Sequence, residues 1–201
     1  MKCPKAEALD PRVRRTRQLL FDAFRSLILE KRFSTISVQD IAERATVNRA
    51  TFYAHYVDKD DLAASLLRSD LQAAIHVKFP ELPVFNYENV VGIAVVTFEF
   101  LASIYDRCPR TGAELQDTVG ATVQGELYEL TDAWLTGNPA VLSLFPGRKK
   151  EAIATVLSWS IYGGAYRWSR SKVRQAALGE CREIIGIVLP QSTGRAAAAP
   201  E

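Results

Sequence analysis

Arg49, Thr51, Tyr53, His55 and Lys59 fall within eleven positions of one another. Guanidinium, hydroxyl, phenol, imidazole and ammonium groups at this density are the donors that meet phosphate oxygens and base edges. Acidic residues are sparse after Glu43, so the segment carries little self-repulsion toward a polyanion. Charge along the chain agrees in sign: residues 1–60 hold twelve Lys or Arg against eight Asp or Glu, and the remainder holds thirteen against fifteen. A polyanion is therefore expected to meet the N-terminal third.

Short elements must hold these side chains. Ser37 is the N-cap residue expected for a helix over 38–45, in which Val38, Ile41, Ala42 and Ala45 share one face. Thr46-Val47 supplies a turn, Asn48 a second cap, and a short helix follows from Arg49 to about Tyr53. Phe52 and Tyr56 anchor that helix on its buried side, which leaves Arg49, Ala50, Tyr53 and Ala54 facing out. This is the grammar of a helix-turn-helix, whose second helix enters a major groove. Upstream, Asp10-Pro11 reads as the start of a helix over 12–30. Its inner face takes Val13, Leu20, Phe24 and Leu27, with Leu19, Ala23 and Ile28 beside them. Arg12, Arg14, Arg15 and Arg17 crowd its first turns against the helix dipole, as a solvated face or as partners of phosphate. A break at Val57-Asp58 precedes a longer amphipathic helix from about Lys59 to Ile75.

The run Val38-x-x-Ile41-Ala42-x-x-Ala45-x-Val47-Asn48-x-x-Thr51-Phe52-Tyr53-x-His55-Tyr56-x-x-Lys59-x-x-Leu62 resembles the DNA-binding signature of the tetracycline-repressor-type (TetR/AcrR) transcriptional regulators. The resemblance spans more than twenty positions and matches both core and surface residues. It implies that Tyr53, His55 and Lys59 touch phosphates, that Asn48 caps the recognition helix, and that Arg49, Ala50 and Ala54 face base edges. Thr46 and Thr51 add backbone contacts, and Ser37 joins the DNA-binding set. The family more often has Gly before Val47, Ser at position 48 and Gly at position 50. Taken singly, Tyr53 reads as a half-buried aromatic and His55 as a core histidine; their joint spacing favours phosphate.

The expected fold is all-α. It comprises a DNA-binding domain over 1–58, a helical ligand-binding and dimerisation domain over 59–189 and a disordered tail over 190–201. Helices are predicted over 87–107, 111–135 with a break near Val119-Gly120, 148–170 and 172–189, separated by Pro- and Gly-bearing turns. The family resemblance implies a small-molecule inducer pocket among the middle helices and a homodimer through the last two. Tyr105, Trp134, Trp159 and Tyr162, large side chains with a polar handle, are the candidate pocket lining. Their composition points weakly to an apolar or aromatic ligand. Ordinary core packing accounts for the same aromatics, and intrachain packing for the last two helices.

Other classes find less support. Three widely spaced cysteines, Cys3, Cys108 and Cys181, form no Cys-x-x-Cys pair and fit a reducing, cytoplasmic setting. Two histidines offer no metal-site spacing, so neither metal nor cofactor is expected. The most apolar stretch, Val90 to Ile104, is interrupted by Glu99, and Met1–Lys5 is followed by no apolar run, so neither a membrane span nor a secretory signal is predicted. A thiol enzyme with Cys108 or Cys181 as nucleophile and His76 as base lacks an orienting partner. A helical scaffold for protein partners explains the helices but not residues 48–59. The expectation is therefore a non-enzymatic regulator, most simply a repressor on a palindromic operator.

Overall fold

The computed structural model describes residues 10–81 and 83–189, and all the regular structure in them is helical. Cys3 and the expected tail lie outside the described residues. The order is α1 (Pro11–Glu30), a 3-10 turn (Phe33–Thr35), α2 (Val38–Arg44), α3 (Arg49–Tyr53) and α4 (Lys59–Lys78). Then follow α5 (Tyr87–Arg107), α6 (Pro109–Glu114), α7 (Gln116–Gly137), a 3-10 turn (Pro139–Leu144), α8 (Lys150–Ser169) and α9 (Ala177–Val188).

The first three helices close around aromatic side chains. Proline at the first position of α1 and the Asp10 carboxylate accepting from the Arg12 amide start that helix where the sequence places it. Leu20, Phe24 and Leu27 are buried as expected, but Leu19 is exposed and Phe21 takes its place inside, 6.2 Å from the Tyr56 ring. Phe24 meets Phe33 edge to face at 6.1 Å, and Phe52 packs against Tyr56 at 5.9 Å. Ile36, Ile41 and Leu62 complete this small core.

Helix α5 is the axis of the remaining helices. Every residue from Val90 to Phe98 is buried, so the helix is covered on all sides rather than along one stripe. Its length and composition are those of a membrane-crossing helix despite Glu99, yet half of that stretch is covered by the fold, with α8 and α9 packed against it. Gly164 lets α8 approach closely: a Cβ there would lie 2.4 Å from Ile184 Cδ1 and 3.0 Å from Phe98 Cζ. Its neighbour Gly163 faces open space.

Two boundaries differ from the sequence reading. The break comes at Leu115, between α6 and α7, and Val119 and Gly120 lie inside α7. Backbone bonds run through the joint, from the Leu115 amide to Thr111 O at 2.9 Å and from the Val119 amide to Leu115 O at 2.8 Å, so no capping side chain marks it. Residues 172–176, expected to be helical, are not. Here Trp168 Nε1 donates to Gln175 O, and Arg174 donates to Ser169 O and to both oxygens of Asp106 on α5. Side chains distant in sequence hold the segment that a helix would otherwise have satisfied internally.

Candidate nucleic-acid interface

Local chemistry builds the α2-turn-α3 unit. The Ser37 hydroxyl accepts from the Asp40 amide at 3.1 Å while Asp40 accepts from the Ser37 amide at 2.9 Å, a reciprocal capping box. Lys31 donates to Asp40 at 2.9 Å, and this bond together with those from Ser37 holds the Asp40 carboxyl well below the usual carboxylate range. Arg44 pairs with both oxygens of Glu30 at 2.8 Å and holds that carboxyl at about 2, tying α2 to α1. In the turn, Thr46 adopts φ +56°, a left-handed conformation that opposes a β-branched side chain. The Val47 amide returns to Ala42 O at 3.0 Å, and Asn48 Oδ1 accepts from the Ala50 amide at 2.8 Å to start α3.

Helix α3 is divided sharply between its two faces. Phe52 is fully buried, whereas Arg49, Ala50, Tyr53 and Ala54 are exposed, Tyr53 by 49%. The Arg49 guanidinium lies 5.7 Å over the Tyr53 ring and donates weakly to its hydroxyl at 3.4 Å, so the two form one outward unit. Small Ala50 and Ala54 beside them leave room for close approach to a groove floor. Thr46 and Asn48 are exposed, and Thr51 and His55 are half-buried at the rim, with the His55 ring 6.4 Å from Tyr56. Arg12, Arg14 and Arg15 are exposed on the first turns of α1. Arg17 instead donates to the Tyr56 hydroxyl at 3.1 Å and stacks on its ring, joining α1 to the end of α3.

Two residues of the expected DNA-binding set, Lys59 and Ser37, make contacts within the protein. Lys59 Nζ donates to Phe33 O at 2.8 Å and Ile36 O at 2.9 Å, with Ser34 O at 3.4 Å, and sits 4.4 Å from the Phe33 ring centroid. Its three protons are taken by backbone carbonyls, which makes it a brace between α4 and the connection into α2. Ser37 likewise spends its hydroxyl on both roles in the capping box, donating to Asp40 Oδ2 at 2.7 Å.

The aromatic residues expected to line a pocket divide in two. Trp159, Tyr162, Tyr166 and Tyr105 form a chain of ring contacts with centroids 5.9–6.4 Å apart, and the Arg170 guanidinium lies over Tyr105 and Tyr166. Trp159 is 55% exposed at the end of that chain. Trp134 lies elsewhere, buried, donating to Pro83 O and packed edge to face on Phe85. None of the four lines the cavity of about 240 Å³ between α1, α4 and the α5–α7 region. That cavity is walled by Phe24, Leu66, Ile104 and Val119 among others, aliphatic and aromatic residues with the same helical spacing as any core, so no signal in the sequence distinguishes them. Burial pushes the Cys181 thiol up to about 12 and raises that of Cys108, and neither is an activated nucleophile.

A three-helix unit presenting a basic, small-residue recognition helix, joined to a larger helical body, defines the class of all-α helix-turn-helix proteins. The family model of bacterial regulatory proteins, tetR family, matches residues 20–66, the stretch that holds most of α1, the helix-turn-helix and the start of α4. It is 35% identical over 81 residues to the uncharacterized HTH-type transcriptional regulator YxbF of Bacillus subtilis (strain 168), covering 39% of this chain and 21% of that one. It is 32% identical over 123 residues to the HTH-type regulator YdeS of the same organism, covering 59% and 54%. The matches thus span a fifth and about half of those relatives. The fold is shared with FadR of Thermus thermophilus, a TetR-family repressor solved in complex with lauroyl-CoA. That likeness has a TM-score of 0.59 at 20% identity, over 92% of this chain and 99% of that one.

Proposed function

We propose that this protein is a dimeric transcriptional regulator that reads an inverted repeat in double-stranded DNA and acts as a repressor, released by a small molecule. The observation that carries the reading is the face of α3: Arg49, Ala50, Tyr53 and Ala54 exposed together while Phe52 is buried beneath them. Arg49, Ala50 and Ala54 read base edges; Thr46, Asn48, Thr51, Tyr53 and His55 contact the backbone and orient the helix. Lys59 and Ser37 act one step back, as braces. The DNA-binding domain ends at residue 58, and α4, which begins at Lys59, carries signals from the ligand-binding and dimerisation domain.

Dimerisation runs through α8 and α9, whose outward faces leave Val156, Trp159, Leu178 and Ile187 exposed. A two-fold axis there sets the recognition helices one DNA turn apart, about 34–36 Å. An inducer with an apolar or aromatic part, in the cytoplasm, shifts that spacing to the extent that it prefers one arrangement over the other. The lauroyl-CoA bound by Thermus thermophilus FadR supports a ligand with an apolar part, there the acyl chain.

The test is selection of binding sites from sheared genomic DNA, followed by titration of the enriched sequence. An inverted repeat with a steep salt dependence is expected, together with altered base preference in Arg49→Ala and uniformly weaker binding in Tyr53→Ala. Failure to enrich any sequence would overturn the proposal.

A further inference from the structure

The cavity between α1, α4 and the α5–α7 region does not end at its apolar walls. A second cleft of about 320 Å³ adjoins it and shares Ile28, Leu29, Arg107, Cys108 and Thr111 with it. Lys31, Arg32, Arg107 and Arg110 line this cleft against a single acid, Glu30. Glu30 is neutralised by Arg44, and Lys31 by Asp40. Arg32, Arg107 and Arg110 make no side-chain hydrogen bond or ion pair among the described residues. Leu29 lines both spaces and is 69% exposed, an apolar side chain at the seam of an apolar chamber and a basic one.

We infer that this joined site binds an amphipathic polyanion, an acyl or alkyl chain carrying a phosphorylated head group, and that it is the effector site of the regulator proposed above. The chamber volume lies just below the ~300–1,000 Å³ of pockets that enclose a whole drug-sized ligand, so it takes the chain and leaves the head outside. Three unpaired guanidiniums on one rim match several phosphate oxygens better than one carboxylate. The walls give the site its leverage on DNA. Phe24 and Ile28 belong to α1, and Leu66 and Leu67 to α4, which flank the helix-turn-helix. The ion pair of Arg25 with Asp70, both in the lining of this mostly apolar cavity, joins those two helices. On the opposite wall, α6 is fastened to the connection into α2, where the Ser34 amide donates to Glu114 at 2.7 Å and its hydroxyl at 3.2 Å. A chain that spreads α6 from α1 and α4 must move the elements that aim α3.

The experiment titrates the full-length protein with lauroyl-CoA, laurate and coenzyme A separately, by calorimetry. Lauroyl-CoA is expected to bind at least tenfold more tightly than either half, and the double variant Arg107→Ala/Arg110→Ala to lose at least tenfold for lauroyl-CoA. A second readout needs no change in the site: in a Cys3→Ser background, lauroyl-CoA should slow alkylation of Cys108 by N-ethylmaleimide at least fivefold. Equal affinity for coenzyme A and lauroyl-CoA would overturn the chain's place in the chamber. Undiminished binding by the arginine variant, or unprotected Cys108, would overturn the site. DNA binding by the same preparation keeps the two readings apart. Operator binding without lauroyl-CoA binding sinks the site and spares the regulator; lauroyl-CoA binding with Cys108 protection but no DNA binding does the reverse.

Discussion

The helices before residue 79 and those after it begin in different ways. Each of α1 to α4 opens on a side chain that accepts from its own first turn: Asp10, Ser37, Asn48 and Asp58. Of the later five, only α5 does so, through Asn86; α6, α7, α8 and α9 have no capping side chain. The first region encodes its boundaries within three or four residues, and the second leaves them to packing and to ties such as Arg174 with Asp106. Locally specified ends make a small unit that keeps its geometry while presenting one polar face. Ends specified by neighbours make a body whose helix boundaries depend on how its helices pack against one another.

Substitutions test this contrast. The largest effect is expected from Phe52→Ala: it empties the centre of the three-helix core, costs about 3–5 kcal/mol, and abolishes DNA binding with loss of hydrogen-exchange protection in α1–α3. Protection in α5 and α8 should persist; its simultaneous loss would show that the two regions unfold as one. Lys59→Ala comes next, at about 2 kcal/mol, because three carbonyls lose a charged donor. A brace and a phosphate ligand separate cleanly here: as a brace, Lys59→Ala lowers the melting temperature and leaves the salt slope of DNA binding unchanged, whereas a lost phosphate contact reduces that slope by about one.

In the second region, Gly164→Ala forces a Cβ against Ile184 and Phe98. Overpacking outweighs the helix propensity gained, and a net loss of about 1 kcal/mol is expected in thermal unfolding. A gain in stability would mean that Ile184 on α9 yields easily to the added methyl group. Smallest is Thr46→Gly, which relieves the left-handed strain of the turn. Stabilisation by about 0.5–1 kcal/mol is expected in chemical denaturation, after the added freedom of the unfolded chain is subtracted.

Legibility in the sequence followed the same division. The caps at Asp10, Ser37 and Asn48, the break before Lys59 and the outward set on α3 all appear in residue types a few positions apart. The internal contacts of Lys59 are not legible in its spacing, because the carbonyls of 33, 34 and 36 reach it only once α4 docks beside that turn. Phe21 for Leu19 is the same kind of displacement: adjacent apolar residues near a stripe edge are sorted by the partner that arrives, here Tyr56. Leu115 and residues 172–176 escaped because no capping type marks them. Size and a polar handle, the features that mark Tyr105, Trp134, Trp159 and Tyr162 as pocket candidates, are shared by core residues.

The sequence by itself determined that the chain is all-helical and carries a helix-turn-helix near its start. Those properties rest on periodicity and caps, interactions that close within one turn of backbone. Only the tertiary structure decided which cations are free and where apolar walls leave a space. Among the described residues, Lys31, Arg44 and Lys59 are engaged while Arg32, Arg107 and Arg110 are not, and the cavity draws on residues from 24 to 119. Pairing and emptiness are relations between surfaces, set by how distant segments meet, and no short stretch of residues contains them.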